Sequence, residues 1–400
     1  MKHNIDKLYY ISTKPMRKII GLMSGTSLDG LDVALYEIEG RGLTTKIKLT
    51  QFETVSFDDD FKNEVKTIFS KKNVDLEKLT LLNPYIAVQH AYIINSLLQK
   101  WNVAATEIDC IASHGQTIYH APKSLHQQNK FSNATLQIGD GDHLAVATGI
   151  ITVSDFRQKH IAAGGEGAPL AVYGDYLILG KQGEDRILLN IGGIANFTFL
   201  PGSMNSAEIF STDTGPGNTL MDALTQQNFP DNHFDENAAI ALKGTINEEL
   251  LKALNQNNFF KNSFPKTTGP ELFNFGYLKL AKEKSATQNI SVEDTMATLN
   301  KFTADTIVDA IKKSTNPQKN YTIYSSGGGM HNPLLMQHIQ NALPQFVFKT
   351  TTDLEINPDA KEAVLFAVLA NECICGDGSY LQQGINGMPV VSMGKISFPD

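Results

Sequence analysis

Cysteine is scarce in this 400-residue chain: Cys110, Cys373 and Cys375 are the only three. So small and odd a number frames no disulfide scaffold and fits a reducing compartment. Cys373-Ile374-Cys375 has no second ligand pair, so zinc is not expected. No apolar run reaches the roughly eighteen residues of a membrane helix. Met1–Arg17 is polar and lacks the apolar middle of a secretion signal. We read it as a short extension before the first strand, and expect a cytoplasmic protein without a membrane partner. A basic excess is also missing, since 34 Lys and Arg face 42 Asp and Glu, a formal net charge of -8. With no compensating basic stripe, nucleic acid is not an expected partner. His120, His143, His160 and His331 lack the i, i+4 spacing of a metal site, so no structural metal is expected.

What is present centres on Ser24-Gly25-Thr26-Ser27-Leu28-Asp29-Gly30. The run Lys18–Met23 before it reads as a buried strand, and Leu31–Ile38 after it alternates inward and outward. Glycine lets the backbone approach an anion, and hydroxyls and main-chain N–H groups can wrap phosphate oxygens. No Gly-Lys-Ser/Thr follows, so this is not the lysine-containing phosphate loop. A strand comes next rather than a helix, so it is not a dinucleotide fingerprint. An ordinary Gly-rich hairpin stays open as the plain alternative.

Lys46–Phe52 adds a third strand. Helical spacing follows in Asp58–Ser70 and in Leu76–Trp101, where Asn83-Pro84 is expected to break or kink the helix. Ile108–Ala112 is a short buried strand ending at Ser113-His114-Gly115-Gln116-Thr117. Thr135–Ile138 is a strand, Asp142–Thr148 a helix and Ile150–Val153 a strand leading to Asp155-Phe156-Arg157. Arg186–Ile191, a Gly192-Gly193 turn and a return strand repeat the opening. A third strand is expected at Ala207–Ser211, just ahead of Asp213. This is a weak repeat of architecture, not of residues. Residues 229–290 read as loops and short helices, an insertion facing the substrate. Ser291 and Asp294 form a capping box for a helix over Ser291–Lys313, and Lys361–Cys373 is a further helix. We divide the chain into a first lobe, 1–140 plus 365–400, and a second, 141–364, with substrates expected in the cleft between them.

Four Gly-rich turns each follow an apolar strand, at Gly25–Gly30, Gly192-Gly193, Gly215-Pro216-Gly217 and Gly327-Gly328-Gly329. Backbone amides at several strand ends could hold a triphosphate without a lysine. Asp213, at a strand end, suits a general base on water or a sugar hydroxyl, with an Asx-type cap as the plain alternative. Glu362 near a helix start has a sufficient explanation in the helix dipole. Facing Asp213, it would complete the carboxylate pair of glycosidic bond cleavage. Asp29 could organise magnesium through water. His114, Gln116 and Arg157 stand just past strands, where α/β proteins put ligand contacts. Arg157 could clamp a carboxylate.

Taken together, Gly21–Gly30, Ser113–Thr117, Asp155–Arg157, Gly167–Leu170, Asn190–Gly193, Asp213–Asn218 and Gly327–Gly329 resemble, in order, the motifs of the anhydro-N-acetylmuramic acid kinases. The resemblance runs from about Lys18 to about Gly376. It implies an α/β, two-lobed actin/hexokinase-like fold, a duplicated RNase H-like unit with an interlobe cleft. It implies ATP and Mg2+, an amino-sugar substrate and a possible homodimer. Water opens the 1,6-anhydro bridge at C1 while O6 takes the γ-phosphate, which gives N-acetylmuramic acid 6-phosphate. Asp213 would activate the water, with Glu362 as second carboxylate. ATP and phosphate contacts would fall to Gly25, Thr26, Ser27, Leu28, Asp29, Gly30, Gly192, Gly193, Gly215, Gly217, Asn218 and Gly327–Gly329. Sugar contacts would fall to Ser24, His114, Gln116, Arg157, Glu166, Ala168 and Pro169. Glu166 departs from the family's glutamine. The alternatives are a kinase for another amino sugar on the same fold and a chaperone-like ATPase.

Overall fold

The computed structural model describes the chain except residues 1, 26–27, 169, 355–360, 379–384 and 386–388, and except the side chains of residues 352, 361 and 362. It forms two compact units, residues 1–180 with 357–400, and residues 181–356.

In the first unit β1 (Met16–Ser24), β2 (Gly30–Glu39) and β3 (Lys46–Ser56) form an antiparallel meander. The short strand β4 (Cys110–Ser113) runs parallel to β1. Beyond it lie β5 (Gln116–Ala121) and β6 (Ala134–Ile138), a separate hairpin, and then β7 (Thr152–Ser154), parallel to β4. The terminal strand Lys395–Ser397 pairs with β7, so the sheet order is terminal strand, β7, β4, β1, β2, β3. Val33, Ala34, Leu35 and Tyr36 of β2 are all buried, so the alternation read there gives way to a strand covered on both faces. The long helix Leu76–Lys100 contributes Ile86, Ala91 and Ile94 to one core. The helix Lys361–Cys375 lies against β1, close enough that a Cβ on Gly21 would meet the Ala363 carbonyl oxygen at 2.1 Å.

The second unit carries β8 (Asp185–Ile191), β9 (Ile194–Leu200), β10 (Phe210–Pro216), β11 (Tyr321–Ser326) and β12 (Val347–Thr350) in the order β10, β9, β8, β11, β12. Each sheet therefore places its third, second, first, fourth and fifth strands side by side, and among those five only the second runs against the rest. That shared topology is the duplicated RNase H-like arrangement, and it bears out the repeat read from the sequence.

Several expectations need correction. Residues 2–13 form a helix rather than a plain extension: Ile11 is buried and the Asn4 amide donates to the Asp400 carbonyl at 3.1 Å. Its stripe is narrow and half polar, which hides it from pattern reading. The helix through Pro84 runs unbroken, because Leu82, Ile86 and Ala87 are buried and packing overrides propensity. Ser206–Glu208 is a 3-10 turn, so the third strand of the second sheet starts later and contains Asp213. Ser291 caps its helix through Asp294 N–H, but the Asp294 carboxylate accepts from Thr245 N–H, leaving half a capping box. Residues 141–180 group with the first unit, since β7 belongs to its sheet. Residues 229–290 are short helices and turns, yet Leu250, Leu254 and Leu278 belong to the second unit's core.

Gly21→Ala should lower the unfolding free energy by about 3 kcal/mol, because backbone on both sides of the contact must move. Urea unfolding followed by circular dichroism measures it.

Candidate active site

In the first unit the strand tips are tied to one another. Ser24, the last residue of β1, donates its hydroxyl to Gln116 Oε1 at 2.7 Å, and both residues are buried. Gly115 turns the chain between β4 and β5 with φ 68°, and a Cβ there would meet the Ile138 carbonyl at 2.4 Å. His114 is buried beside this turn. Its Nε2 lies 3.0 Å from Arg157 Nη2 and 3.1 Å from Gln137 Nε2. A guanidinium only donates, so Nε2 is assigned as the bare acceptor and the ring as neutral. Burial, and then the Arg157 charge, push its pKa down to about 3. The ring also packs 4.6 Å from Phe366 of the Lys361–Cys375 helix.

Arg157 donates from Nη1 to the Gly167 carbonyl at 2.6 Å, while Gly167 N–H donates to His160 Nδ1 at 3.0 Å. Both terminal nitrogens of Arg157 thus already serve internal acceptors, which favours loop-holding over a two-pronged clamp on a carboxylate. Ser24, His114, Gln116, Arg157 and the backbone leading to Ala168 form one connected cluster. Glu166 is exposed, with Oε1 3.4 Å from the Ser124 hydroxyl. Leu28 has φ 59° and a buried side chain, so only its backbone is placed to meet a ligand, while Asp29 and Gly25 border the same turn. Thr26, Ser27 and Pro169 lie outside the described residues, as does the side chain of Glu362, whose backbone sits one helical turn before Phe366.

In the second unit three glycine turns converge. The N–H groups of Gly217 and Asn218 donate to the carbonyls of Gly193 and Gly192, each at 2.8 Å, and the Thr219 hydroxyl reaches the Gly193 carbonyl at 2.6 Å. A Cβ on Gly217 would stand 2.2 Å from the Gly192 oxygen. The amides of Gly217 and Asn218 are therefore committed within the protein rather than to a phosphate. Gly327, with φ 82°, passes Asn190 and Ile191 so closely that a Cβ would meet each at 2.7 Å. Gly215 stands at the β10 bulge against Phe260 and Thr306 and serves packing.

Beside the second and third turns opens a cavity of about 500 Å³. Asn218, Gly328, Gly329, His331 and Asn332 line one part; Met221 and Asp222 of the helix Thr219–Asn228, with Phe234, Asp235, Glu236 and Asn237, line the rest. Phe234 is 58% exposed, and Asn237 holds φ 53°. Burial raises the Asp222 pKa to about 6. Asp222 stands four residues after Asn218, a spacing that could have marked it in the sequence. Phe234 and Asn237 carried no such signal.

Asp213 lies inside β10 opposite Asn196. Its Oδ2 accepts from Thr268 N–H at 2.7 Å, and its own N–H donates to the Lys266 carbonyl at 2.9 Å. Burial raises its pKa and Glu271 adds to the rise, against the Thr268 hydrogen bond. Among the described residues no group of three His, Cys, Asp or Glu side chains is placed to hold a metal ion.

The family model for anhydro-N-acetylmuramic acid kinase matches residues 17–398. The chain belongs to the anhydro-N-acetylmuramic acid kinase family. It is 56% identical over 401 residues to the enzyme of that name from Pseudoalteromonas atlantica and 55% identical to that from Pseudoalteromonas translucida, with all of each chain covered. With the one from Caldanaerobacter subterraneus it shares 38% identity over 395 residues, 98% of this chain and 100% of that one. This member of the family is thus an ATP-using sugar kinase, and the chaperone-like alternative is set aside. Among the described residues no helix is long and apolar enough to cross a membrane.

His114 has a folded pKa far below its unfolded value of about 6.5. The unfolded chain therefore binds the extra proton first, and the stability due to neutral His114 is lost as pH falls from about 6.5 toward 3. This group alone should cost the protein about 2 kcal/mol between pH 7 and pH 5. His114→Gln should flatten that part of the pH dependence, read from urea midpoints at the two pH values.

Proposed function

We propose that the chain opens 1,6-anhydro-N-acetylmuramic acid with water and phosphorylates it in the same turnover. Asp213 takes a proton from the water, and the water oxygen bonds to C1. The C1–O6 bond breaks and its electron pair passes to O6. O6 attacks the γ-phosphorus of ATP, and ADP leaves. The products are N-acetylmuramic acid 6-phosphate, ADP and the proton that Asp213 returns to solvent. The observation that carries this reading is the half-buried Asp213 carboxylate. A backbone N–H from Thr268 orients it, and its basicity is raised above that of an ordinary aspartate. By the family resemblance Glu362 supplies the second carboxylate and Pro169 a sugar contact, and the cluster of Ser24, His114, Gln116 and Arg157 binds the sugar, with Glu166 and Ala168 at its border.

The nucleotide reading rests on the converged turns. The nucleoside enters the cavity beside Asn218, Gly328 and Gly329, where Phe234 offers an aromatic face to the base. The Gly192-Gly193 turn receives phosphate oxygens, a role that the family resemblance also implies for residues 25–30. Mg2+ is usually held by one or two carboxylates, water and substrate phosphates. Asp29 is the candidate carboxylate. When bound, Mg2+ neutralises charge on the transferring phosphoryl group. We extend the family resemblance to a homodimer working in the cytoplasm.

Asp213→Asn should keep ATP affinity in a calorimetric titration while turnover falls about 10³-fold; near-normal turnover removes Asp213 from its role. In ¹⁸O-labelled water the label should appear at C1 of the product, and its absence there refutes hydrolytic opening. Because the base must be ionised, activity should fall on acidification from a higher pH than a free aspartate would give. Phe234→Ala should raise KM for ATP about tenfold with little change in kcat, through loss of ring contact.

A further inference from the structure

The Asp213 strand is flanked by a segment with no part in the chemistry proposed so far. Lys266 N–H donates to the Thr212 hydroxyl at 3.0 Å, that hydroxyl lies 3.2 Å from the Lys266 carbonyl, and the same carbonyl accepts Asp213 N–H at 2.9 Å. Two residues on, Thr268 N–H grips the Asp213 carboxylate at 2.7 Å. The segment thus lies along β10 like a short added strand, and its far end sets one oxygen of the carboxylate.

The segment is anchored by the side chain of Lys266. Its ammonium lies 4.2, 5.0 and 5.7 Å from the ring centres of Phe259, Phe264 and Phe260, and it donates to the Phe259 carbonyl at 3.0 Å. Among the described residues no carboxylate is within ion-pair distance of it. Aromatic faces and a carbonyl hold this cation, an arrangement that restricts a long flexible chain to one direction. We propose that Lys266 is a positioning residue for the base: caged by phenylalanines, it fixes the 266–268 backbone against β10 and so aims the Asp213 carboxylate.

This inference rests on Asp213 being the base. The charged groups bearing on the pair are few. Glu271 faces Asp213, and Lys313 and Asp309 act on Lys266 with opposite signs. The Thr268 hydrogen bond favours the ionised carboxylate. Loosening it should make the carboxylate harder to ionise, which moves the acidic limb of the rate profile to higher pH.

The test measures kcat, KM for ATP and the pH profile of kcat for K266M, K266R and T212V in the full-length chain. K266M should lose about 10²-fold in kcat, the cost of a misplaced catalytic group, with KM for ATP unchanged and the acidic limb shifted upward. K266R keeps a cation for the cage and should retain the parent profile. T212V removes the hydroxyl that bonds Lys266 without touching the cage; it should shift the limb in the same direction, and it decides the matter if K266M does not fold. A parent-like limb in folded K266M or in T212V, or an equal shift in K266R, overturns the proposal. Asp213→Asn separates the two levels: an active D213N defeats the base assignment, whereas an inactive D213N beside parent-like K266M and T212V defeats only the role of Lys266.

Discussion

Backbone meeting backbone, at distances that leave no room for a Cβ, is the constraint on which the rest of this structure depends. At Gly217 the excluded atom would lie 2.2 Å from the Gly192 oxygen; at Gly21 it would lie 2.1 Å from the Ala363 oxygen. The first contact joins two strand-end turns of the second unit and leaves the cavity lined by Asn218, Gly328 and Gly329 beside them. The second brings the Lys361–Cys375 helix onto β1 and puts Phe366 against His114. Glycine serves here less as a flexible joint than as the one residue whose volume permits the approach.

Polar groups at the strand tips are organised by burial. His114 is neutral because it is buried beside Arg157, and a neutral ring can accept the Arg157 hydrogen bond. Arg157 in turn holds the Gly167 carbonyl, so the loop reaching Ala168 is placed by side chains that bond within the protein. The side chains of this cluster are thereby fixed by bonds within the protein, an arrangement that reduces the ordering a bound ligand must impose. In the second unit Asp213 combines a raised pKa with a single backbone hydrogen bond, a state suited to accepting a proton rather than to ion pairing.

Much of this was legible in the chain. The paired strands around Gly25–Gly30 and around Gly192-Gly193 follow from apolar runs broken by glycine, and both sheets open as read. The motif order named the family. Other features were hidden for identifiable reasons. The N-terminal helix has one strongly buried apolar residue, Ile11, too little for a periodic signal. The start of β10 was misplaced because Ala207 and Ile209 read as strand while Asn205 caps a 3-10 turn there. The boundary at 140/141 failed because β7 is only three residues long, and its pairing with β4 is invisible to local pattern.

The sequence by itself determined which residue types stand at strand ends, and hence the repeated strand–turn–strand units, the glycines and the family. Those are local properties, set by side-chain period and by what each residue allows its own backbone. Only the tertiary structure decided which amides remain for a ligand, that Arg157 holds a loop, and that Phe234 and Asp222 share a cavity with Gly328. It alone brought Lys266 and Thr268 to Asp213 across more than fifty residues of chain. Such pairings are set by how whole elements pack, and nothing in the neighbourhood of Asp213 along the chain encodes them.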